Sequence, residues 1–220
     1  MSTVQICPSI LNADRANLTA EISRISSEAD WLHLDVMDAK FVSAFTFDFD
    51  ECAKIIKDSP LPVDTHLMIN NPDEVAAHYA AVGSKSVTFH LEASYRAKQT
   101  CQGIRKAGAR CGVAIKPNTP VGELFELLDH VDMFLVMTVE PGSGGQSFMH
   151  DMMPKVRALR DLISQNNGSQ WIQVDGGITL ETIIEARKAG ANAFVAGNAV
   201  FRANDPGNMV AALREIALNA

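Results

Sequence analysis

The sequence predicts an α/β fold in which a single (β/α)8 barrel spans residues 1–220. Short runs rich in β-branched and aromatic residues alternate with amphipathic helical segments along the whole chain. Eight such runs are present, and eight β-α units in series usually close into a parallel barrel. The length of 220 residues suits one barrel, so we do not expect a second domain.

The predicted elements follow one another in regular order. The strands are Val4–Pro8, Trp31–Met37, Pro62–Met68, Ser86–Leu91, Cys111–Ile115, Met133–Val139, Trp171–Val174 and Ala193–Ala196. The helices between and after them are Leu18–Ile25, Glu51–Lys57, Glu74–Ala81, Ala97–Lys106, Glu123–Leu128, Met153–Ile163, Leu180–Lys188 and Met209–Ala217. Gly108 and Gly190 are placed where helices should end. A doubly wound open sheet is the alternative, but its glycine-rich turn is absent after the first strand, so no nucleotide cofactor is expected.

Composition excludes several classes of partner. The net charge of -7 argues against nucleic acid as the main partner, because proteins that bind phosphate backbones are usually basic. The sequence lacks both a secretory signal and an apolar run of 18 residues, so no membrane association is expected. The cysteines, which form no C-x-x-C pair, are Cys7, Cys52, Cys101 and Cys111. We therefore expect reduced thiols and a cytoplasmic location.

Polar residues cluster at the predicted strand ends, which is where a barrel enzyme carries its active site. An apolar strand has no structural use for a carboxylate, since burying an unpaired charge is costly. The residues concerned are Ser9, His33, Asp35, Asp38, Asp64, His66, His90, Glu92, Lys116, Asn118, Glu140, Asp175 and Asn198. This pattern predicts an enzyme.

Two histidines and two aspartates form a candidate metal site. His33 and Asp35 are two residues apart and therefore point to the same side of their strand. Together with His66 and Asp175 they supply two imidazoles and two carboxylates, which suits one Zn, Fe, Mn or Co ion, with zinc favoured. A lone strand histidine is more often a hydrogen-bonded core residue, but two histidines and two aspartates at three strand ends favour a metal. Asp64 is a competing ligand, although a place in a polar layer lower in the barrel fits it better.

Three methionines near strand ends have the same inward parity, namely Met37, Met68 and Met137. Such residues often only fill gaps in a core. The functional alternative is an apolar lid that keeps water from the metal. His90 and Glu92 are ambiguous, and we interpret them as structural or supporting residues.

Three glycine-containing loops predict a phosphate site. The loop after the sixth strand contains Gly142, Ser143, Gly144 and Gly145. The loops after strands seven and eight contain Gly176 with Gly177, and Gly197 with Asn198. Glycine lets backbone amides approach an anion closely, and the loops after strands seven and eight are the usual phosphate site of this fold.

Several motifs together resemble the ribulose-phosphate 3-epimerase family. They are Pro8-Ser9-Ile10-Leu11, His33-Leu34-Asp35-Val36-Met37-Asp38, His66-Leu67-Met68, Val136-Met137-Thr138-Val139-Glu140-Pro141-Gly142, Gly144-Gly145-Gln146 and Val174-Asp175-Gly176-Gly177. They run in the same order as in the family, from Cys7 to Arg202. The resemblance implies a TIM barrel of the ribulose-phosphate-binding type.

The resemblance also implies an activity and residue roles. The activity is the interconversion of D-ribulose 5-phosphate and D-xylulose 5-phosphate through an ene-diolate, in the pentose phosphate pathway. His33, Asp35, His66 and Asp175 match the metal ligands, and Asp35 and Asp175 match the acid/base pair. Ser9 and His66 match substrate contacts, and the glycine loops match the phosphate and substrate loops. A homo-oligomer is implied as well.

The chain departs from the family pattern in three places. Residues 39–48 lack the usual glycine or asparagine and histidine after Asp38, Ser143 replaces an aromatic residue, and Asn198 stands where serine is usual. If Ala39 needs a positive φ, it is strained where glycine would not be. These departures leave open a 3-epimerase of another ketose phosphate, such as a hexulose 6-phosphate. A non-catalytic sugar-phosphate-binding barrel, or a decarboxylase or synthase that uses Lys116, is less well supported.

Overall fold

Eight parallel strands form the centre of the molecule in a computed structural model that describes residues 4–220. They are β1 Gln5–Pro8, β2 Leu32–Met37, β3 Val63–Met68, β4 Ser86–His90, β5 Arg110–Ile115, β6 Met133–Met137, β7 Trp171–Asp175 and β8 Ala193–Ala196. Strands adjacent in sequence are adjacent in the sheet, and β8 pairs with β1. A parallel bridge between Ser9 and His33 joins β1 to β2. The predicted (β/α)8 barrel is therefore confirmed; residues 1–3 of the predicted domain lie outside the described residues.

Helices surround this barrel. They are α1 Leu18–Ser23, α2 Phe49–Asp58, α3 Pro72–Ala81, α4 Ala97–Lys106, α5 Met153–Gln165, α6 Thr182–Ala189, α7 Asn198–Phe201 and α8 Pro206–Asn219. Gly190 ends α6 in the left-handed region with φ 113°, as its position in the sequence predicts. An acid at each of two helix starts, Asp48 and Asp205, accepts a backbone N–H of the first turn.

One predicted helix differs from the α-helical form. The segment Val121–His130 is a 3₁₀ helix. Its buried residues Leu124 and Leu127 are three apart, which matches the three residues per turn of that helix. Gly122 also lowers the α-helical propensity of the first turn. The helical prediction is thus correct in place and wrong in helix type.

The strands are buried on both faces, and their two sets of side chains have different surroundings. All six residues of β2 are buried. Leu32, Leu34 and Val36 belong to the large apolar core that includes side chains of the helices. The other three residues of β2, His33, Asp35 and Met37, therefore point into the barrel, where the polar side chains lie.

Two further findings concern the described part of the chain. Among residues 4–220, no helix is both long and apolar enough to cross a bilayer. The four cysteines are buried and unpaired. Burial raises the pKa of the Cys52 thiol to about 12, so that this group remains a neutral thiol.

Candidate active site and metal centre

The four predicted metal ligands converge at one end of the barrel. One potential ligand atom from each of His33, Asp35, His66 and Asp175 lies within 4.8 Å of the others. Nε2 of His33 is 3.4 Å from Oδ1 of Asp35 and 3.9 Å from Oδ2 of Asp175. Nδ1 of His66 is 3.2 Å and 3.5 Å from the same two oxygens. The two rings thus present different nitrogens to a common point.

Strand register produces this convergence. In the pairing of β2 with β3, His33 lies opposite Asp64 and Asp35 lies opposite His66. Asp175 is the last residue of β7 and reaches the same point from another part of the ring. The hydroxyl of Ser9, directly after β1, donates to Oδ2 of Asp35 at 2.5 Å. Each of these side chains therefore belongs to a strand residue or to the residue directly after a strand.

The cluster fits a divalent transition metal. Nε2 of His33 is buried and has no hydrogen-bond partner among residues 4–220, although two carboxylates face it. A buried, unpaired nitrogen is costly unless something else satisfies it. Two imidazole nitrogens and two carboxylate oxygens are the donor set that Zn, Fe, Mn and Co accept. The residues that would hold the ion are therefore His33, Asp35, His66 and Asp175.

The charges of the cluster are strongly coupled. Burial disfavours a charged ring, but the carboxylates of Asp35 and Asp64 outweigh it and raise the pKa of His33 well above its usual value. Burial likewise opposes charge on His66, and hydrogen bonds to Asp175 and Asp35 raise its pKa. For Asp35, burial raises the pKa, but the two histidines outweigh burial and hold it far below its usual range. The carboxylates thus favour positive charge at the centre of the cluster.

Asp64 supports the cluster from the side away from the cavity. Its Oδ2 lies 2.9 Å from Nδ1 of His33 and accepts a hydrogen bond from Nε2 of Gln173 at 2.8 Å. Nη2 of Arg110 is 3.9 Å from its other oxygen. Asp64 therefore contacts the ring nitrogen of His33 that faces away from the cluster. Arg110 and Gln173 were not among the predicted site residues, although Gln173 is a polar residue inside β7 and Arg110 begins β5.

His90 and Glu92 support the second histidine. Nε2 of His66 is 3.0 Å from Nε2 of His90, whose Nδ1 is 3.2 Å from Oε2 of Glu92. Burial, together with His66, lowers the pKa of His90 to about 4. Burial raises the pKa of Glu92, but hydrogen bonds from His90 and Thr119 outweigh it and lower that pKa to about 2. The interpretation of both as supporting residues agrees with these contacts.

A cavity of about 530 Å³ opens over the cluster, within the size range of small-molecule sites. Asp35 and Asp175 lie in its wall, as do Met37, Met68 and Met137, which are 1–2% exposed. The other predicted substrate residues that line it are Ser9, Gly142, Ser143, Gly144, Gly145, Gly176, Gly177, Gly197 and Asn198. His33 and His66 lie beneath this wall, fully buried.

The glycine loops adopt conformations that other residues rarely reach. Gly177 has φ 66°, and a Cβ there would lie 2.5 Å from the backbone nitrogen of Phe148. The side chain of Asn12, which the sequence analysis missed, lies between two of the loops. A Cβ at Gly144 would come within 2.5 Å of it, and one at Gly197 within 2.2 Å. Asn12 ends the short 3₁₀ helix Ile10–Asn12 that follows β1, and no local sequence pattern marked it as a contact of these loops.

The loop after β2 is held by Asp38. Its Oδ1 accepts the backbone N–H groups of Lys40 and Phe41 at 2.9 and 2.8 Å, and its Oδ2 accepts that of Asn70 at 2.9 Å. Ala39 has φ 57°, so the strain predicted for a non-glycine residue there is present. Asp38 therefore shapes the loop and is not part of the metal cluster.

Comparison with known proteins gives one consistent family. A sequence profile described as "Ribulose-phosphate 3 epimerase family" matches residues 5–201. Ribulose-phosphate 3-epimerase of Mycobacterium leprae is 45% identical over 95% of this chain and 93% of its own. The cytoplasmic isoform of Oryza sativa subsp. japonica is 43% identical over 97% and 94%.

A more distant structural likeness concerns the fold alone. The crystal structure of 3-hexulose-6-phosphate synthase from Salmonella typhimurium aligns with a TM-score of 0.69 and 16% identity, covering 98% of this chain and 99% of that one. The profile match and the two close relatives, by contrast, extend over nearly the whole sequence. The chain therefore belongs to the ribulose-phosphate 3-epimerase family of isomerases.

Proposed function

We propose that this chain is a metal-dependent ribulose-phosphate 3-epimerase that interconverts D-ribulose 5-phosphate and D-xylulose 5-phosphate. The observation that carries the proposal is the convergence of His33, Asp35, His66 and Asp175 at the base of a cavity walled by glycine loops. Such a cavity offers an anion site and a set of proton carriers together. The names of close relatives that match nearly the whole chain support the same substrate.

The proposed cofactor is one divalent ion, with zinc favoured over iron, manganese and cobalt because two imidazoles are present. When bound, the ion supplies Lewis-acid stabilisation of the negative charge that develops on the substrate oxygens. Asp64 and His90 contact the outer ring nitrogens of the two histidine ligands. These contacts hold each ring in place before any ligand arrives.

Asp35 and Asp175 are the proposed proton carriers. Epimerisation at carbon 3 removes a proton from one face of the substrate and returns one to the other face, which passes through an ene-diolate. Asp35 comes from β2 and Asp175 from β7, with β1 and β8 between them in the ring. Two carboxylates from different parts of the ring suit a two-base exchange, in which each serves as acid in one direction and base in the other.

The rest of the cavity wall is proposed to bind and enclose the substrate. Backbone N–H groups of the loops at residues 142–145, 176–177 and 197–198 form a phosphate cradle, which needs no lysine. Ser9, which lines the cavity, is proposed to contact the sugar, whereas His66, fully buried beneath the wall, is proposed to act through the metal instead. Met37, Met68 and Met137 form an apolar layer beside the carboxylates, which limits water around them.

Broader properties of the chain are also proposed. Residues 1–220 act as one catalytic domain, and the buried, unpaired cysteines support a cytoplasmic location. A homo-oligomer is supported by the exposed aromatic rings of Phe45 and Phe49, which are 59% and 38% accessible. Lys116 lies with its Nζ 3.7 Å from the centre of the Phe41 ring, a placement that disfavours a lysine-based decarboxylase.

Turnover in D₂O tests the proposed reaction. We expect xylulose 5-phosphate to carry one deuterium at carbon 3 while early unreacted ribulose 5-phosphate keeps its hydrogen, since two separate carboxylates handle the two protons. Mass spectrometry and NMR measure both. Faster turnover of a hexulose 6-phosphate than of ribulose 5-phosphate would contradict the proposed substrate, and deuterium in the unreacted substrate from the start would contradict the two-base mechanism.

A further inference from the structure

A row of hydrogen bonds leads from His66 away from the metal cluster. Nε2 of His66 is 3.0 Å from Nε2 of His90, and Nδ1 of His90 is 3.2 Å from Oε2 of Glu92. Both rings are fully buried. When two ring nitrogens face each other at this distance, one must donate and the other must accept.

Glu92 sets the direction of this row. Its Oε1 accepts the backbone N–H of Lys116 at 2.7 Å and the hydroxyl of Thr119. An ionised carboxylate only accepts, so Nδ1 of His90 must carry the hydrogen that faces Oε2. Nε2 of the neutral His90 ring is then an acceptor, and Nε2 of His66 is the donor. In the neutral His66 ring, which is the form that can bind a metal, this arrangement leaves Nδ1, the nitrogen that faces the cluster, with a free lone pair.

We propose that His90 and Glu92 are positioning residues that fix the ring tautomer of His66 and thereby keep its Nδ1 available as a metal ligand. The proposal rests on the metal centre of the proposed function. His33 needs no such intermediary, because Asp64 contacts its outer nitrogen directly at 2.9 Å. A carboxylate thus orients each histidine ligand: Asp64 contacts His33 directly, and Glu92 acts on His66 through the ring of His90.

Phe41 and Lys116 border the row beside His90, whose ring is fully buried, while the side chain of Glu92 is partly exposed. The ring of Phe41 lies 4.8 Å from the ring of His90, centre to centre. The Phe41 ring also contacts Lys116, whose Nζ lies 3.7 Å from the ring centre. Because Phe41 belongs to the loop after β2, one of the segments that departs from the family pattern contacts the ligand support directly.

Two substitutions at Glu92 separate a tautomer effect from a packing effect. In Glu92→Gln the amide oxygen can keep the Lys116 and Thr119 donors, and the amide N–H then points at Nδ1 of His90. The neutral His90 ring then carries its hydrogen on Nε2 and donates it to Nε2 of His66. The hydrogen of the neutral His66 ring is therefore on Nδ1, which can no longer bind a metal. In Glu92→Ala the row loses its end without being reversed. We therefore expect Glu92→Gln to weaken metal binding more than Glu92→Ala, whereas packing alone predicts the opposite order.

The measurement is zinc affinity of the full chain, by competition with a chromophoric chelator. We expect an affinity loss of about 10- to 100-fold for Glu92→Gln and a smaller loss for Glu92→Ala. Glu185→Gln is the matched control, because Glu185 also contacts a histidine Nδ1, that of the exposed His150, at 2.6 Å. This control should bind zinc as the unchanged protein does. Circular dichroism and thermal unfolding check that each variant is folded.

Wild-type affinity for Glu92→Gln, or weaker binding by Glu92→Ala than by Glu92→Gln, would overturn the proposal. His90→Phe provides a second route if Glu92→Gln does not fold, since it keeps a ring but offers no acceptor to His66. Unchanged zinc affinity in folded His90→Phe would overturn the proposal equally. If the unchanged protein itself binds no zinc, manganese, iron or cobalt, the proposed metal centre fails instead, so the two failures are distinguishable.

Discussion

The proposed metal cluster and the proposed phosphate cradle lie at the same end of the barrel but are built in opposite ways. The cluster consists of side chains on strands, mostly buried, and three of the four, His33, Asp35 and His66, contact a further polar side chain. The cradle consists of loop backbone, partly exposed, in conformations that depend on glycine. Because the two regions are built from different parts of the chain, we expect chemistry and substrate binding to be separable by substitution. Changes in the cluster should act on kcat and metal affinity, and changes in the cradle should act on KM.

Asp175→Asn should break the cluster and leave the cradle intact. The amide cannot take up the proton of carbon 3 and is a poorer metal ligand. We expect kcat to fall by about 10²- to 10⁴-fold, the range of a lost general acid or base. Steady-state kinetics measure the loss. Asp58→Asn, at an exposed carboxylate paired with Lys54, serves as the control and should keep the wild-type rate. Near-normal activity of folded Asp175→Asn would refute its assigned role.

Gly177→Ala should break the cradle and leave the cluster intact. A Cβ would lie 2.5 Å from the backbone of Phe148, and φ 66° disfavours alanine. We expect kcat/KM to fall by about 10- to 100-fold, mainly through KM, since the strain is on the order of 1–3 kcal/mol. Zinc affinity should not change. Gly122→Ala, where a Cβ meets no atom within 4 Å, is the control. A loss confined to kcat would mean that cradle and cluster are not separable.

The pH dependence of metal binding should set the cluster apart from the cradle. The pKa of His33 in the metal-free protein is raised well above the ordinary value of 6.5, so the ring still holds a proton above that pH. A metal ligand must be deprotonated, so affinity should rise with pH by about tenfold per unit for each histidine still protonated. The rise should continue above pH 6.5. Calorimetry in buffers of different ionisation enthalpy counts the released protons, and zinc affinity independent of pH would contradict the assignment.

Ala39→Gly should give the smallest effect, on the loop that borders both regions. Ala39 has φ 57°, a conformation that costs a residue with a Cβ about 1 kcal/mol. Glycine removes that cost, although it also makes the unfolded chain more flexible. We expect a rise of up to about 1 kcal/mol in the free energy of unfolding, measured by urea denaturation. A clear loss of stability would show that the loop does not store this strain.

Much of the cluster was predictable because it depends on side-chain identity and strand parity. His33 and Asp35, two residues apart on one strand, had to face the same side. The register of β2 against β3 was not predictable, and it decides that Asp64 contacts His33 while Asp35 lies beside His66. A shift by two residues would preserve the parity and change those contacts. The supporting role of Asp64 was therefore only one of two open interpretations.

The cradle was predictable in place but not in detail. The glycines of the loops after strands six to eight indicated close backbone approach, and Gly177 shows it. The side chain of Asn12, distant in sequence, lies against two of these loops and had no counterpart in any local pattern. Similarly, the segment Val121–His130 was helical by periodicity, yet its 3₁₀ form depends on packing of Leu124 and Leu127. Long-range contacts decide such details.

Removing the metal and restoring it tests the proposed metal dependence of the epimerase most directly. The purified chain is stripped with a chelator, its metal content is measured by mass spectrometry, and turnover of ribulose 5-phosphate is followed before and after addition of zinc, manganese, iron or cobalt. We predict that activity disappears with the metal and returns with at least one of these ions. Full epimerase activity in protein shown to be free of transition metal would contradict the proposed metal dependence.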